Sequence, residues 1–269
     1  MHYSKNLALG QEKKRIMVLC GDEAPAITAA NIYADCLRDH DVRFLEEKIL
    51  TLGRILRFSR RRLRSLGFIS LLGSCLFFLP QCFGLRKTPV KRYRPSLVSN
   101  DFSTDPRIAD FVRDFKPDVV LVGFCGLLSR NFLRLLPCIC FNIHPGINPR
   151  YRGFGNIWAF YEDNPGCVGY TIHEVDEGTD TGRRVVVTGL DPRSDFKGVS
   201  FLDIDIHAAG LAAQRLCNLL LGREDVPAIA DQFHGLPSVL YGAPTLPVFL
   251  RALRNYYRAV QKGTKTRDA

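Results

Sequence analysis

Asn142, His144 and Asp180 are side chains whose chemistries fit one another. Asn142 carries two N–H donors and does not ionise. His144 titrates near neutrality and can carry a proton in either direction. Asp180 lies 36 residues after His144, in the acidic turn "DEGTDTG", and can orient a histidine and favour its charged form. An amide that holds an oxyanion and an imidazole that moves a proton suit acyl transfer at a carbonyl. Each type also has a plain structural use. A histidine beside a proline packs, and an aspartate in a Gly-rich turn bonds its own backbone.

The elements that must bring these groups together follow from the apolar pattern. "RIMVLC" reads as a strand, "APAITAANIYADCLRD" as a helix and "VRFLEEKI" as a second strand, an opening typical of a parallel sheet with crossover helices. "DPRIADFVRDFK" is a short amphipathic helix with Ile108, Phe111 and Phe115 on one side. "PDVVLVGF" is a central strand buried on both faces. "CICFNIH" is the next strand, and Asn142 and His144 end it, where ligands bind in open α/β sheets. "GNIWAFYED" is a helix, "CVGYTIHEV" and "RRVVVTGL" are strands, and a long helix ends at Gly222. The expected fold is α/β, a Rossmann-like, mostly parallel sheet flanked by helices, with a short and mainly helical C-terminal extension. The stretch "RKTPVKRYRPSLVSNDFSTDP" reads as a long loop.

The chain of 269 residues is 46% hydrophobic and 24% charged, which allows a sizeable core. Its net charge of +10 favours anionic partners without choosing among them, and is equally compatible with a simple basic surface. The nine cysteines show no CxxC pair and no metal-type spacing, so they read as buried free thiols in a reducing compartment. No metal is expected. The N-terminus lacks the apolar core of a signal peptide, and a flexible tail is expected over 1–13. Between 54 and 85, six arginines in eleven residues precede twenty-one uncharged ones interrupted by Gly67, Gly73, Pro80 and Gly84. This segment reads as a buried or lid-forming insertion, with peripheral attachment to a membrane surface or a span as alternatives. A dinucleotide site is disfavoured, because no GxGxxG follows the first strand.

From about Lys116 to Val187 the chain resembles the folate-dependent formyltransferases. The likeness is carried by "FNIHP" after a strand, Arg152-Gly153 a few residues later, the strand "GYTIHEV" and the turn "DEGTDTG". It implies a catalytic domain over 14–190, interrupted by 54–85, and an extension over 191–269. It further implies 10-formyltetrahydrofolate as co-substrate, with Asn142 polarising the formyl oxygen, His144 as catalytic histidine and Asp180 assisting proton transfer. Gly123, Phe124, Cys125, Gly126, Leu127 and Leu128 would line the folate cleft, with Val175, Asp176, Glu177, Gly178 and Thr179 near the pterin. Gly146, Ile147, Asn148, Arg150, Tyr151 and Arg152 would lie on the substrate side. His173 is expected to pack.

The family commonly has a serine and leucines where this chain has Gly146, Ile147 and Asn148, which points to an unusual substrate. "CGDEAPAI" replaces the glycine loop that holds phosphate in glycinamide ribonucleotide formyltransferases, which disfavours that substrate. The residues after Leu190 look too few and too helical for a tRNA-gripping barrel, so nucleic acid is not expected as a partner. The acceptor expected is a small-molecule primary amine, an amino sugar on a nucleotide, with Tyr93 or Tyr151 stacking on the base. Alternatives are a hydroxyornithine-type amine, tRNA, hydrolysis of formyltetrahydrofolate, and a membrane-attached binding protein. A cytoplasmic location is expected, at most peripheral to the inner membrane surface, and a homodimer is left open.

Overall fold

The structure is a computed structural model that describes residues 7–49 and 89–261, with 51, 60 and 63 between them. The expected insertion over 54–85 lies outside the described residues apart from 60 and 63. The chain opens with β1 (Arg15–Gly21), α1 (Ala24–Cys36) and β2 (Asp41–Glu47). β3 (Pro95–Ser99) and α2 (Pro106–Phe115) come next, followed by β4 (Val119–Gly123), α3 (Arg130–Leu133) and β5 (Cys140–His144). Then come β6 (Arg152–Gly153), α4 (Gly155–Tyr161), β7 (Gly169–Glu174) and β8 (Arg184–Gly189). α5 (Ile204–Leu220), β9 (Leu240–Tyr241) and α6 (Leu246–Gln261) complete it.

Seven strands form one sheet in the order β3-β2-β1-β4-β5-β7-β8. The first five run parallel, and β7 reverses the direction beside β5. β1 and β4 are apolar without alternation because helices cover both of their faces. α1, α5 and α6 share one core layer with Val18, Leu121 and Ile143. α2 contributes Ile108 and Val112 to the other, against Leu19 and Val120. Asp105 caps α2 by accepting the Arg107 N–H at 3.1 Å, and Lys116 ends it in a left-handed conformation (φ 47°) before Pro117. The helix face turns slightly from the one expected. Val112 is buried, while Phe111 and Phe115 are half-buried against each other.

Leu121 is fully buried in β4. Leu121→Ala should therefore lower unfolding stability by about 2–5 kcal/mol, read as a reduced urea midpoint at unchanged slope.

Two expectations differ from the structure. The stretch read as a loop before α2 contains β3, an edge strand whose outward residues are exposed. Part of the tail expected to be flexible is packed, since Leu7 and Leu9 lie on the core and the Leu9 N–H donates to Leu220 O at 2.8 Å. The C-terminal helices pack on the same core as β1 through Leu216, Cys217, Ala252 and Tyr256. Among the described residues no helix is long and apolar enough to cross a membrane. The seven described cysteines are free, and burial pushes the Cys20 thiol up to about 12.

Candidate active site

β5 delivers Asn142 and His144 to the carboxyl end of the parallel strands. Asn142 is in register with His173 across the antiparallel β5–β7 ladder, and His144 with Thr171. The turn between β7 and β8 then returns Asp180 to the same place, with Asp180 itself left-handed at φ 52°. Few residues besides glycine, chiefly Asn and Asp, adopt that conformation readily. The three groups singled out in the sequence converge on this carboxylate. Asp180 Oδ1 accepts from Asn142 Nδ2 at 3.3 Å and lies 3.4 Å from His173 Nε2. Its Oδ2 accepts the Gly153 N–H at 3.1 Å and lies 3.4 Å from His144 Nδ1.

Burial pushes the Asp180 carboxyl up, but His144, His173 and the Gly153 N–H outweigh it and hold it below the usual carboxylate range. His144 Nε2 faces the Tyr151 carbonyl at 2.8 Å. Both ring nitrogens of His144 thus face acceptors, and only a doubly protonated ring donates to both. His173 Nδ1 donates to Glu174 O at 2.7 Å, and its Nε2 stands 3.1 Å from Asn142 Nδ2 and 3.4 Å from Asp180 Oδ1. The Asn142 amide nitrogen thus faces both a histidine and a carboxylate.

A cavity of about 520 Å³ opens over these groups. Asn142, His144, His173 and Asp180 form one wall, Phe124–Leu128 a second and Val175–Thr179 a third. All the residues expected to form the cofactor cleft line it except Gly123, which lies one residue inside β4. The wall after β4 is tightly set. Phe124 is left-handed (φ 58°), and Gly126 donates its N–H to the buried Glu47 carboxylate at 2.5 Å.

Residues 84–191 match the sequence profile of the Formyl transferase family. That stretch resembles a formyl transferase domain. The domain is similar to methionyl-tRNA formyltransferase of Kosmotoga olearia, at 29% identity over 109 residues, 40% of this chain and 32% of that protein. The corresponding protein of Syntrophus aciditrophicus is 36% identical over 80 residues, 29% of this chain and 25% of that one. The chain thus matches about a third or less of the length of these relatives. Among solved structures, a sugar N-formyltransferase from Shewanella sp FDAARGOS_354 superposes with a TM-score of 0.48 at 14% identity, over 90% of this chain and 87% of that one. Glycinamide ribonucleotide transformylase 1 from Symbiobacterium toebii gives 0.48 at 16%, over 77% and 86%.

The residues expected on the substrate side do not line this cavity; they build its support. Ile147 and Tyr151 are fully buried, apolar side chains of a loop that folds inward. Asn148 is buried too, and its Nδ2 donates to Asp180 O at 3.1 Å, holding the turn. Arg152 donates to Thr179 O at 2.9 Å. Arg150 pairs with Glu162 at 2.8 Å. Gly146 is required by contact, since a Cβ there would lie 2.4 Å from Tyr151 O and 2.6 Å from His144 Nε2. Tyr93, expected to stack on a base, is buried against Phe44 and donates to Glu46. His173, expected to pack, lines the cavity and bonds Asn142.

Sequence reasoning also missed wall residues of the domain. Glu23 and Pro25 stand at the start of α1, Arg130 begins α3, Phe154 precedes α4 and Asp205 lies in the first turn of α5. Glu23 and Pro25 follow β1 directly, and the rule that sites lie beyond strand carboxyl ends points at them. Nothing local marks Asp205.

Proposed function

We propose that the domain transfers a formyl group from 10-formyltetrahydrofolate to a primary amine of a small molecule. The observation that carries this reading is the meeting of Asn142, His144 and Asp180 on one wall of a cleft within a domain that resembles the formyl transferases. The substrate amine attacks the formyl carbon, the bond from that carbon to the folate nitrogen breaks, and a proton passes from the amine to that nitrogen. His144 keeps its Nε2–H on Tyr151 O and turns its Nδ1–H, 3.4 Å from Asp180 Oδ2, toward the oxyanion. Asn142 joins it by releasing Asp180 Oδ1, the longer of its two contacts, so the formyl oxygen takes that place. Asp180, kept ionised, receives the proton of the attacking amine. The loops 124–128 and 175–179 exclude water on the donor side.

The acceptor amine arrives as an ammonium ion drawn in by Glu23 and Asp205 on the cleft wall, gives one proton to a wall carboxylate, and attacks as the neutral amine. An amino sugar on a nucleotide fits this reading with its amine inward and its diphosphate outside the acidic wall. The test is release of tetrahydrofolate from 10-formyltetrahydrofolate on addition of amines, with and without phosphate. Amine-dependent release is expected, strongest for an amino sugar nucleotide. Equal release without any amine would identify a hydrolase instead, and no release with any amine would reject the reading.

A further inference from the structure

Glu162 follows α4, outside the cleft, and gathers three donors. Tyr151 Oη donates to its Oε2 at 2.8 Å, Arg150 reaches the same oxygen at 2.8 Å, and Tyr241 Oη donates to Oε1 at 2.5 Å. Asn164 donates to Tyr151 Oη at 3.1 Å, so the hydroxyl is held from two sides. The Tyr151 ring is fully buried and stacks on Tyr241 with centroids 5.6 Å apart, and Tyr241 stacks on Trp158 at 4.8 Å. Burial pushes the Glu162 carboxyl up, but Tyr241, Tyr151 and Arg150 outweigh it, so it stays charged. At the other end of the same residue, the Tyr151 carbonyl accepts from His144 Nε2 at 2.8 Å. A rigid, doubly anchored tyrosine therefore sets the position of the carbonyl that fixes the His144 ring.

We propose that Glu162 is a positioning residue for His144, acting through Tyr151, and that Tyr241 joins the C-terminal segment to this link. The proposal rests on the reading of His144 as a participant in formyl transfer. A carboxylate with this role restrains rotation of Tyr151 rather than touching substrate. Its loss should lower turnover while leaving donor affinity alone, because Glu162 lies outside the cleft that the loops at 124–128 and 175–179 line.

The test compares Glu162→Ala, Glu162→Gln and Tyr151→Phe in the full chain, by steady-state kinetics and by the nitrogen resonances of 15N-labelled histidine, with His144→Ala to assign its signal. Glu162→Ala should lower kcat on the order of ten- to a hundredfold, with KM for 10-formyltetrahydrofolate unchanged. It should also shift the His144 Nε2 resonance. Glu162→Gln, which keeps two acceptor sites on one oxygen, should recover part of kcat. Should Glu162→Ala not fold, Tyr151→Phe keeps the stacked ring, removes only the hydroxyl, and should move kcat and the resonance in the same direction. Unchanged kcat and an unmoved resonance in the folded variants overturn the proposal, even if melting temperatures fall. Full activity of His144→Ala would reject the functional reading instead, and the resonance would still report whether Glu162 and Tyr151 hold the ring.

Discussion

Asp180→Asn should reduce formyl transfer by about 10²–10⁴-fold while leaving a folded protein. Asparagine suits the test for a backbone reason. Residue 180 is left-handed, and asparagine shares with aspartate a tolerance for that conformation. The substitution therefore removes the charge without straining the turn. What it removes is the acceptor facing His144 Nδ1 and His173 Nε2 at 3.4 Å each, and with it the base for the amine proton. The same charge contributes to stability with a definite sign. A carboxyl held below its ordinary value in the fold stabilises above the unfolded value of about 4, and this contribution is lost as pH falls through the folded value. Asp180→Asn should thus melt lower than the parent at pH 7, with the gap narrowing in acid. Transfer at the parental rate by the folded variant would remove Asp180 from the mechanism.

The second large effect is expected where no titratable group changes. Gly146→Ala places a methyl group 2.4 Å from Tyr151 O and 2.6 Å from His144 Nε2. The first obstacle is backbone and the second is a ring already bonded to it, so neither yields cheaply. Overpacking of this kind costs about 1–3 kcal/mol. The relief available is to push the carbonyl away from His144, and displacement on the scale of 1 Å costs on the order of 10²-fold in rate. Thermal melting and kcat/KM measured together should both fall. Gly166→Ala serves as the control, because a Cβ there meets nothing within 4 Å. Parental activity and stability in Gly146→Ala would show that the close approach is not a constraint.

Much of the sheet was legible because its strands are short apolar runs bounded by turn residues. β1, β4, β5, β7 and β8 all read in this way. β3 did not, since it begins at a proline and alternates toward solvent on a sheet edge. β6 and β9 hold two residues each, too few for any period to register. At the site, Asn142, His144 and Asp180 could be named from type and spacing, aided by a family resemblance. The direction of the loop after His144 could not. A run of Pro, Gly, Asn and Arg reads as solvent-facing, yet Ile147, Asn148 and Tyr151 turn inward and become its foundation. Periodicity says nothing about such a loop, and the partners that decide it lie far along the chain: Glu162 is 11 residues after Tyr151, and Tyr241 a further 79 after Glu162. Asp205 was hidden for the same reason, since only tertiary packing brings the start of α5 to the cleft.

The small β6–β9 ladder has a temporal consequence. Arg152 donates to Val239 O at 3.2 Å and Phe154 to Tyr241 O at 3.2 Å, so a stretch some ninety residues downstream stitches the loop that follows His144. Chains emerge from the ribosome N-terminal end first. The imidazole, the amide and the carboxylate are all synthesised long before their buttress exists. A nascent chain stalled before residue 239 would already hold Asn142, His144 and Asp180 and still lack this ladder, so the buttress waits on the emergence of 239–241.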